Sequence, residues 1–338
     1  MSAAEELVRA KNLVKLFPLR TEGRGRRRSF VHAVDGVNLA IARGKTLGLV
    51  GESGCGKTTI GRLLLRLIEP TRGEVWFEGK NVCSLNRREL VWFRRSAQLI
   101  FQDAMSSFDP RKTVGAIVGE PLVVHRLARG AELRERVADL LKTVGLKPEL
   151  AHEYPHTLAG GQKQCVGVAR ALALSPEFIV ADEPISALDV SVRAQVLNLL
   201  LEVQEERSLT YLFISHDIRV VRFLADQIAV MYLGQVVETA EAEELFVRRY
   251  HPYTEALFEA VPVEDPALRR PRHILPGEVP SPVDPPPGCR FRPRCRCALP
   301  VCREETPPLV EKTPGHFAAC WAEFEGSVTR CGVNTRAF

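Results

Sequence analysis

No stretch of the sequence reaches the about 18 consecutive apolar residues that a membrane-spanning helix requires, so the chain is not expected to cross a bilayer by itself. The opening residues, Met1-Ser2-Ala3-Ala4-Glu5-Glu6, lack the basic and apolar segments of a secretory signal. No internal repeat is present, and Pro285-Pro286-Pro287 is the one compositionally biased tract. Nor is the charge lopsided. A net charge of +5 is compatible with a nucleotide or an anionic lipid surface and demands neither. With 45% hydrophobic and 26% charged residues over 338 positions, the composition is that of a globular protein with room for two or three domains and a large core.

Against these absences one stretch stands out. Gly51-Glu52-Ser53-Gly54-Cys55-Gly56-Lys57-Thr58 fits the phosphate-loop pattern G-x-x-x-x-G-K-[ST]. The apolar run Thr46-Leu47-Gly48-Leu49-Val50 precedes it and reads as a strand. From Thr59 to Leu67, Ile60, Leu63, Leu64 and Leu67 recur at helical spacing, and Pro70 closes the run. Strand, glycine turn and helix are the context the motif needs. The glycines let backbone N–H groups wrap a phosphate, and the helix N-terminus adds partial positive charge. Lys57 is placed to reach the β- and γ-phosphates, and Thr58 to offer its hydroxyl to Mg²⁺. A nucleoside-triphosphate enzyme without a secretory signal is expected in the cytosol, where structural disulfides are rare.

The remaining chain alternates strand and helix patterns. Strands are expected over 7–16, 30–41, 73–79, 97–101, 177–182 and 210–215, with a hairpin over 228–239. Helical spacing marks 133–144, 157–174 and 192–203. Arg87 to Phe93 is a short basic amphipathic piece. This alternation implies a mostly parallel sheet with helices on both faces. The stretch from Leu19 to Ser29 carries five arginines and is read as a solvated loop, with contact to lipid headgroups as the sharper alternative. Asp182-Glu183 ends an apolar strand. Asp182 is placed to hold Mg²⁺, and Glu183 to polarise an attacking water.

Further motifs bring a family into view. Leu158-Ala159-Gly160-Gly161-Gln162 resembles the signature loop of ATP-binding-cassette (ABC) ATPases. Gln102 is similar to the family's Q-loop glutamine, Ser186-Ala187-Leu188-Asp189 to its D-loop, and His216 to its switch histidine. Order and spacing agree over roughly 7–240. The resemblance implies an α/β fold: a phosphate-loop ABC ATPase core with a mostly parallel sheet, an antiparallel β subdomain, and a helical signature subdomain over about 103–174. It implies catalytic roles for Glu183, His216 and Gln102. It implies ATP contacts from Gly51, Glu52, Ser53, Gly54, Cys55, Gly56, Lys57, Thr58, Thr59, Gln102 and Asp182, and Mg²⁺ contacts from Thr58, Gln102 and Asp182. Ala159, Gly160, Gly161 and Gln162 would face the ATP held mainly by a second ATPase subunit, since two such domains pair head to tail. Phe17 is the first candidate for stacking on adenine and Phe30 the second. Ala159 departs from the usual serine, Lys163 and Cys165 stand where arginines are usual, and Ala104 where proline is frequent.

The tail changes character. Fifteen of the 23 prolines lie from Pro252 onward, and Cys289, Cys295, Cys297, Cys302, Cys320 and Cys331 crowd the last fifty residues. A separate module is therefore expected after about residue 260. Four thiols follow the spacing C-x₅-C-x₆-C-x₁₇-C over Cys289, Cys295, Cys302 and Cys320. In the cytosol such a set favours a metal over disulfides, and Zn²⁺ and a [4Fe–4S] cluster suit it equally. With His251-Pro252-Tyr253-Thr254 and Leu275-Pro276-Gly277-Glu278, this run resembles the small Cys/Pro-rich extension of oligopeptide/dipeptide (and nickel) importer ATPases. The implied division is an ABC nucleotide-binding domain over 6–260 and an extension over 261–325, and the resemblance inclines the metal toward the cluster.

The same resemblance implies an ATPase powering import of di- or oligopeptides. It would sit peripherally on the cytoplasmic face of the cell membrane. Its implied partners are a second ATPase subunit (a paralogue), two membrane permeases and a substrate-binding receptor, with no nucleic acid. A nickel importer is the nearest alternative. A soluble ABC ATPase acting on nucleic acid or ribosomes usually carries two cassettes or a coiled-coil insertion, and this chain has neither.

Overall fold

The computed structural model describes residues 5–19, 29–260 and 275–322. The arginines between 20 and 28, and Cys331, lie outside the described residues. In chain order the strands are β1 (Glu6–Pro18), β2 (Phe30–Ala42), β3 (Thr46–Val50), β4 (Arg72–Phe77), β5 (Lys80–Asn81), β6 (Ala97–Ile100), β7 (Phe178–Asp182), β8 (Thr210–Ser215), β9 (Gln227–Tyr232), β10 (Gln235–Glu241), β11 (Val310–Thr313) and β12 (His316–Ala318). The helices are α1 (Lys57–Leu64), α2 (Arg87–Ser96), α3 (Val114–Val124), α4 (Gly130–Thr143), α5 (Gly160–Leu172), α6 (Val190–Arg207), α7 (Ile218–Leu224), α8 (Ala242–Val247) and α9 (Pro252–Glu259).

Two sheets form among the described residues. The smaller has the order β2-β1-β4-β5 and is antiparallel throughout. The larger has the order β11-β12-β10-β9-β3-β8-β7-β6. Its five strands from β9 to β6 run parallel. These are the near-continuous apolar runs of the sequence, and every residue of β3, β7 and β8 is buried. The physical cause is burial on both faces. Phe178 and Val180 of β7, with Leu212 and Ile214 of β8, pack toward α1 and the antiparallel sheet. Ile179, Ala181, Tyr211 and Phe213 pack toward a second core shared with α3, α4, α5 and α6. The expected α/β class, with an antiparallel subdomain and a helical subdomain, is borne out.

Element ends shift by a few residues for local reasons. The helix expected over 157–174 begins at Gly160, because Pro155 to Thr157 form a tight 3₁₀ turn instead. The basic piece near 87 extends to Ser96, started by Asn86, whose side chain accepts from the Arg88 and Glu89 amides while Glu89 answers the Asn86 amide.

The tail is tied to the core rather than hung from it. Residues 316–318 pair with β10 and carry β11 as the new edge. Val283 bridges Val31, and the His32 amide donates to the Pro282 carbonyl at 2.9 Å. His316 Nε2 lies 2.8 Å from Glu238 Oε1 with both side chains fully buried. Arg290 pairs with Asp35 and donates to the Leu233 carbonyl. The cysteine-rich run is thus held against β2, β9 and β10.

Candidate nucleotide site

β3 delivers the chain to Gly51, and α1 leaves from Gly56, with the glycine-rich turn between. Two of the glycines are required. At Gly51, φ is +153° and a Cβ would stand 2.2 Å from the Met231 carbonyl oxygen. At Gly56, φ is +110° and a Cβ would stand 2.1 Å from the Ala33 carbonyl oxygen. Either side chain would push the loop off the strands beneath it. No side chain caps α1, so its first amides are left for a ligand.

Lys57 is buried and folds back over the loop. Its ammonium donates to the Gly51 carbonyl at 2.7 Å and the Glu52 carbonyl at 3.0 Å. Thr58 donates its hydroxyl to Asp182 Oδ1 at 2.9 Å. Burial pushes the Asp182 carboxyl above its ordinary value; the neighbouring Glu183 charge adds to this, and the Thr58 hydrogen bond opposes it. A divalent cation at this point would reverse the shift by favouring the carboxylate.

Glu183 follows β7 directly, with φ at +47°. A glutamate in the left-handed region is strained by roughly 1–3 kcal/mol. The turn is held by the Glu183 amide donating to the Ile214 carbonyl at 3.0 Å, and by the Ser186 amide and hydroxyl donating to the Glu183 carbonyl at 3.2 and 3.1 Å. The result aims the carboxylate across the cleft. Gln102 Nε2 donates to Glu183 Oε2 at 3.3 Å, and His216 Nδ1 lies 3.1 Å from the same oxygen.

Ser53, Gly54, Gly56, Lys57, Thr58, Thr59, Gln102, Glu183 and His216 line one open cleft of about 480 Å³ with Val31, Ala33 and Pro282. Gly51 and Cys55 lie beneath it, fully or nearly fully buried, and burial raises the Cys55 thiol. Phe17 is not part of this lining; its ring is half-exposed, with the Lys15 ammonium 5.1 Å from its centre. Nor do Ala159, Gly160, Gly161 and Gln162 line it. They start α5, where Ala159 and Gly160 are exposed. Ala159 has no hydroxyl to cap the helix, so the cap is one-sided: Gln162 Oε1 accepts from the Ala159 amide at 3.0 Å. Gly161 is packed so tightly on α6 that a Cβ would meet Val192 at 2.3 Å. Three residues stand beside the site without the sequence placing them there: Pro282, Arg294 and Tyr253, the last known only as part of the His251–Thr254 run. Arg294 stands 242 positions from the residue it pairs with, and no local pattern announces it.

The four thiols expected to bind metal do not stand as a ligand set. Among the described residues no group of three or more His, Cys, Asp or Glu side chains is placed to hold a metal ion. Burial raises the Cys289 thiol, lifts Cys295 to about 11 and lifts Cys320 to about 12. They are nevertheless neighbours, since Cys320 feels the charges of Cys295, Cys289 and Cys302.

Against known proteins, the family model described as ABC transporter matches residues 34–186. The model for the oligopeptide/dipeptide transporter C-terminal region matches 237–302. The oligopeptide transport ATP-binding protein AppF of Bacillus subtilis is 47% identical over 325 residues, spanning 95% of this chain and 99% of that relative. The chain belongs to the ATP-binding subunits of ABC transporters. YkfD of Bacillus subtilis, named as a putative oligopeptide transport ATP-binding protein, is 52% identical over 299 residues, 88% of this chain and 91% of its own. Among solved structures, the dimeric ATP-binding cassette MJ0796 in a post-hydrolysis state with ADP and Pi is 33% identical with a TM-score of 0.62, covering 70% of this chain and 99% of its own. CbiO1 of Clostridium perfringens, part of the transporter complex cbiONQ, is 27% identical with a TM-score of 0.61, covering 72% of this chain and 91% of its own. An ABC ATPase is expected to use ATP with Mg²⁺, and Thr58 and Asp182 place a hydroxyl and a carboxylate oxygen, donor types such an ion takes, 2.9 Å apart.

Proposed function

We propose that this chain is the ATP-hydrolysing subunit of a peptide importer. The observation that carries the hydrolytic part is the convergence of Gln102 and His216 on one carboxylate oxygen of Glu183, in the same cleft as Lys57 and Thr58. The amides of the turn and the Lys57 ammonium bind the ATP phosphates once that ammonium leaves the loop carbonyls. Thr58, Asp182 and Gln102 would hold Mg²⁺, whose charge would offset that of the phosphates. Glu183 takes the proton of the attacking water, and His216 and Gln102 orient its carboxylate. Phe17, with its exposed ring at the end of β1, is the adenine platform. The open start of α5, Ala159 to Gln162, serves the γ-phosphate of ATP bound by a second ATPase subunit.

The peptide assignment rests on the extension. The oligopeptide/dipeptide model matches 237–302, from β10 through most of the extension, and relatives across nearly the whole chain carry peptide-transport names. The units are a nucleotide-binding domain over 6–260 and an extension over 261–325. The four thiols of that extension would hold iron, as a [4Fe–4S] cluster, or Zn²⁺ once drawn together; their thiol chemistry and proximity support this, and the metal would staple a segment with little core. No helix among the described residues is long and apolar enough to cross a membrane, so attachment to the cytoplasmic face is through permease partners. A substrate-binding receptor and a paralogous second ATPase complete the assembly. Affinity purification from native membranes tests this: two permeases, a second ATPase and a peptide-binding receptor should co-purify, and peptide should stimulate ATP turnover. Recovery with ribosomes or nucleic acid, and no permease, would overturn it.

A further inference from the structure

Glu52, the second residue of the phosphate loop, is fixed from outside the loop by two residues of the C-terminal third. Its amide donates to Tyr253 Oη at 2.9 Å. Its carboxylate takes a two-pronged contact from Arg294, with Nη1 to Oε2 at 2.9 Å and Nη2 to Oε1 at 3.2 Å. Arg294 is 7% exposed and sits immediately before Cys295. Its Nε is buried there without a hydrogen-bond partner, so the fork onto Glu52 carries this guanidinium's paired, charge-assisted contacts. Tyr253 in turn rests against Tyr232 and Phe291.

A carboxylate in a loop that wraps a polyanion is an electrostatic liability. Unpaired, it would repel the phosphates at the very point where amides and Lys57 attract them. Its amide, turned to Tyr253, does not face the ligand, so Glu52 gives the loop shape rather than contacts. We propose that Arg294 and Tyr253 are positioning residues of the ATP site: Arg294 cancels the Glu52 charge and, with Tyr253, holds the loop in its phosphate-binding form, making the extension a working part of the nucleotide site. The inference rests on reading Gly51 to Thr58 as the phosphate loop.

The test is ATP affinity of the full chain, read by equilibrium titration with Mg-ATP, alongside kcat. Arg294→Gln is expected to weaken ATP about tenfold with kcat changed less than about threefold. Removing the liability as well, in Glu52→Gln/Arg294→Gln, is expected to return affinity to within about twofold of the parent. A purely structural arginine would lower thermal stability without weakening ATP binding by the folded protein, so unfolding is followed alongside the titration. Unchanged affinity in Arg294→Gln, or a double variant no better than the single, overturns the proposal. If Arg294→Gln does not fold, the double variant decides: ATP affinity within about twofold of the parent supports the proposal, and weaker binding or a failure to fold overturns it. Lys57→Ala run in parallel separates the readings: ATP binding at parental strength there sinks the phosphate-loop assignment, whereas a null result in Arg294→Gln alone sinks only this inference.

Discussion

Nδ1 of His216 stands 3.1 Å from Oε2 of Glu183, joining the residue that follows β8 to the one that follows β7. Because β7 and β8 are paired in parallel register, with Asp182 opposite Ile214, the two side chains leave the sheet at the same end. The contact predicts that His216→Ala lowers ATP turnover by about a hundredfold, while Mg-ATP binding stays within a few-fold of the parent. Measured together, turnover and binding constants check it; an equal loss in both would assign His216 to binding instead.

The Thr58–Asp182 hydrogen bond carries a prediction about magnesium. Asp182→Asn keeps the size of the side chain and removes its charge. The Mg²⁺ concentration for half-maximal ATPase activity is expected to rise about tenfold or more, since the ion would lose the one anionic ligand proposed for it. A magnesium titration at fixed ATP reads this directly. Nucleotide binding without magnesium should change far less.

Ala159 begins α5 in the extended backbone a cap requires, with φ −67° and ψ 159°, but offers no side-chain acceptor. Ala159→Ser should therefore raise thermal stability by about 1 kcal/mol. In an assembly where one ATP site at a time is disabled, it should also raise turnover at the site that this α5 serves, by adding a hydroxyl toward the γ-phosphate. Normal turnover there, unmoved by the serine, would show that the alanine costs nothing.

These relationships were unequally legible in the sequence. The strand–turn–helix around Gly51 could be read because its glycines, lysine and helical leucines lie within about twenty residues, and the parallel sheet because strands buried on both faces leave unbroken apolar runs. The signature segment, Gln102, Asp182, Glu183 and His216 could be read through the family resemblance. The tail could not. β11 and β12 are four and three residues long and carry no alternation strong enough to read. The pairing of β12 with β10 goes together with a buried side-chain contact, Glu238 with His316, between residues 78 positions apart. Neither Pro282 in the cleft wall nor Arg294 behind the loop has a local signature. A thiol spacing, conversely, was easy to see and yet did not dictate a formed metal site.

His251 gives a pH prediction with a definite sign. It is fully buried, its Nδ1 accepts from the Tyr253 amide at 3.1 Å, and burial pulls its imidazolium down to about 3. Its folded value thus lies below the unfolded one near 6.5, so between those values the unfolded chain binds the extra proton. Stability is then intact above about pH 6.5 and falls as the pH drops toward about 3, by up to about 1.4 kcal/mol per unit. His251→Asn, which keeps a capping acceptor for α9, should flatten that slope. Chemical denaturation at a series of pH values measures it; parallel slopes in parent and variant would contradict the assignment.

The most direct measurement of the central claim is Glu183→Gln in the full chain with Mg-ATP. The amide is isosteric but cannot take a proton from water. We predict that hydrolysis falls by at least about a hundredfold while ATP is retained, and that the retained ATP locks the protein in a two-subunit form detectable by size-exclusion chromatography. Hydrolysis at the parental rate would contradict Glu183 as the base and, with it, the hydrolytic role assigned to this cleft.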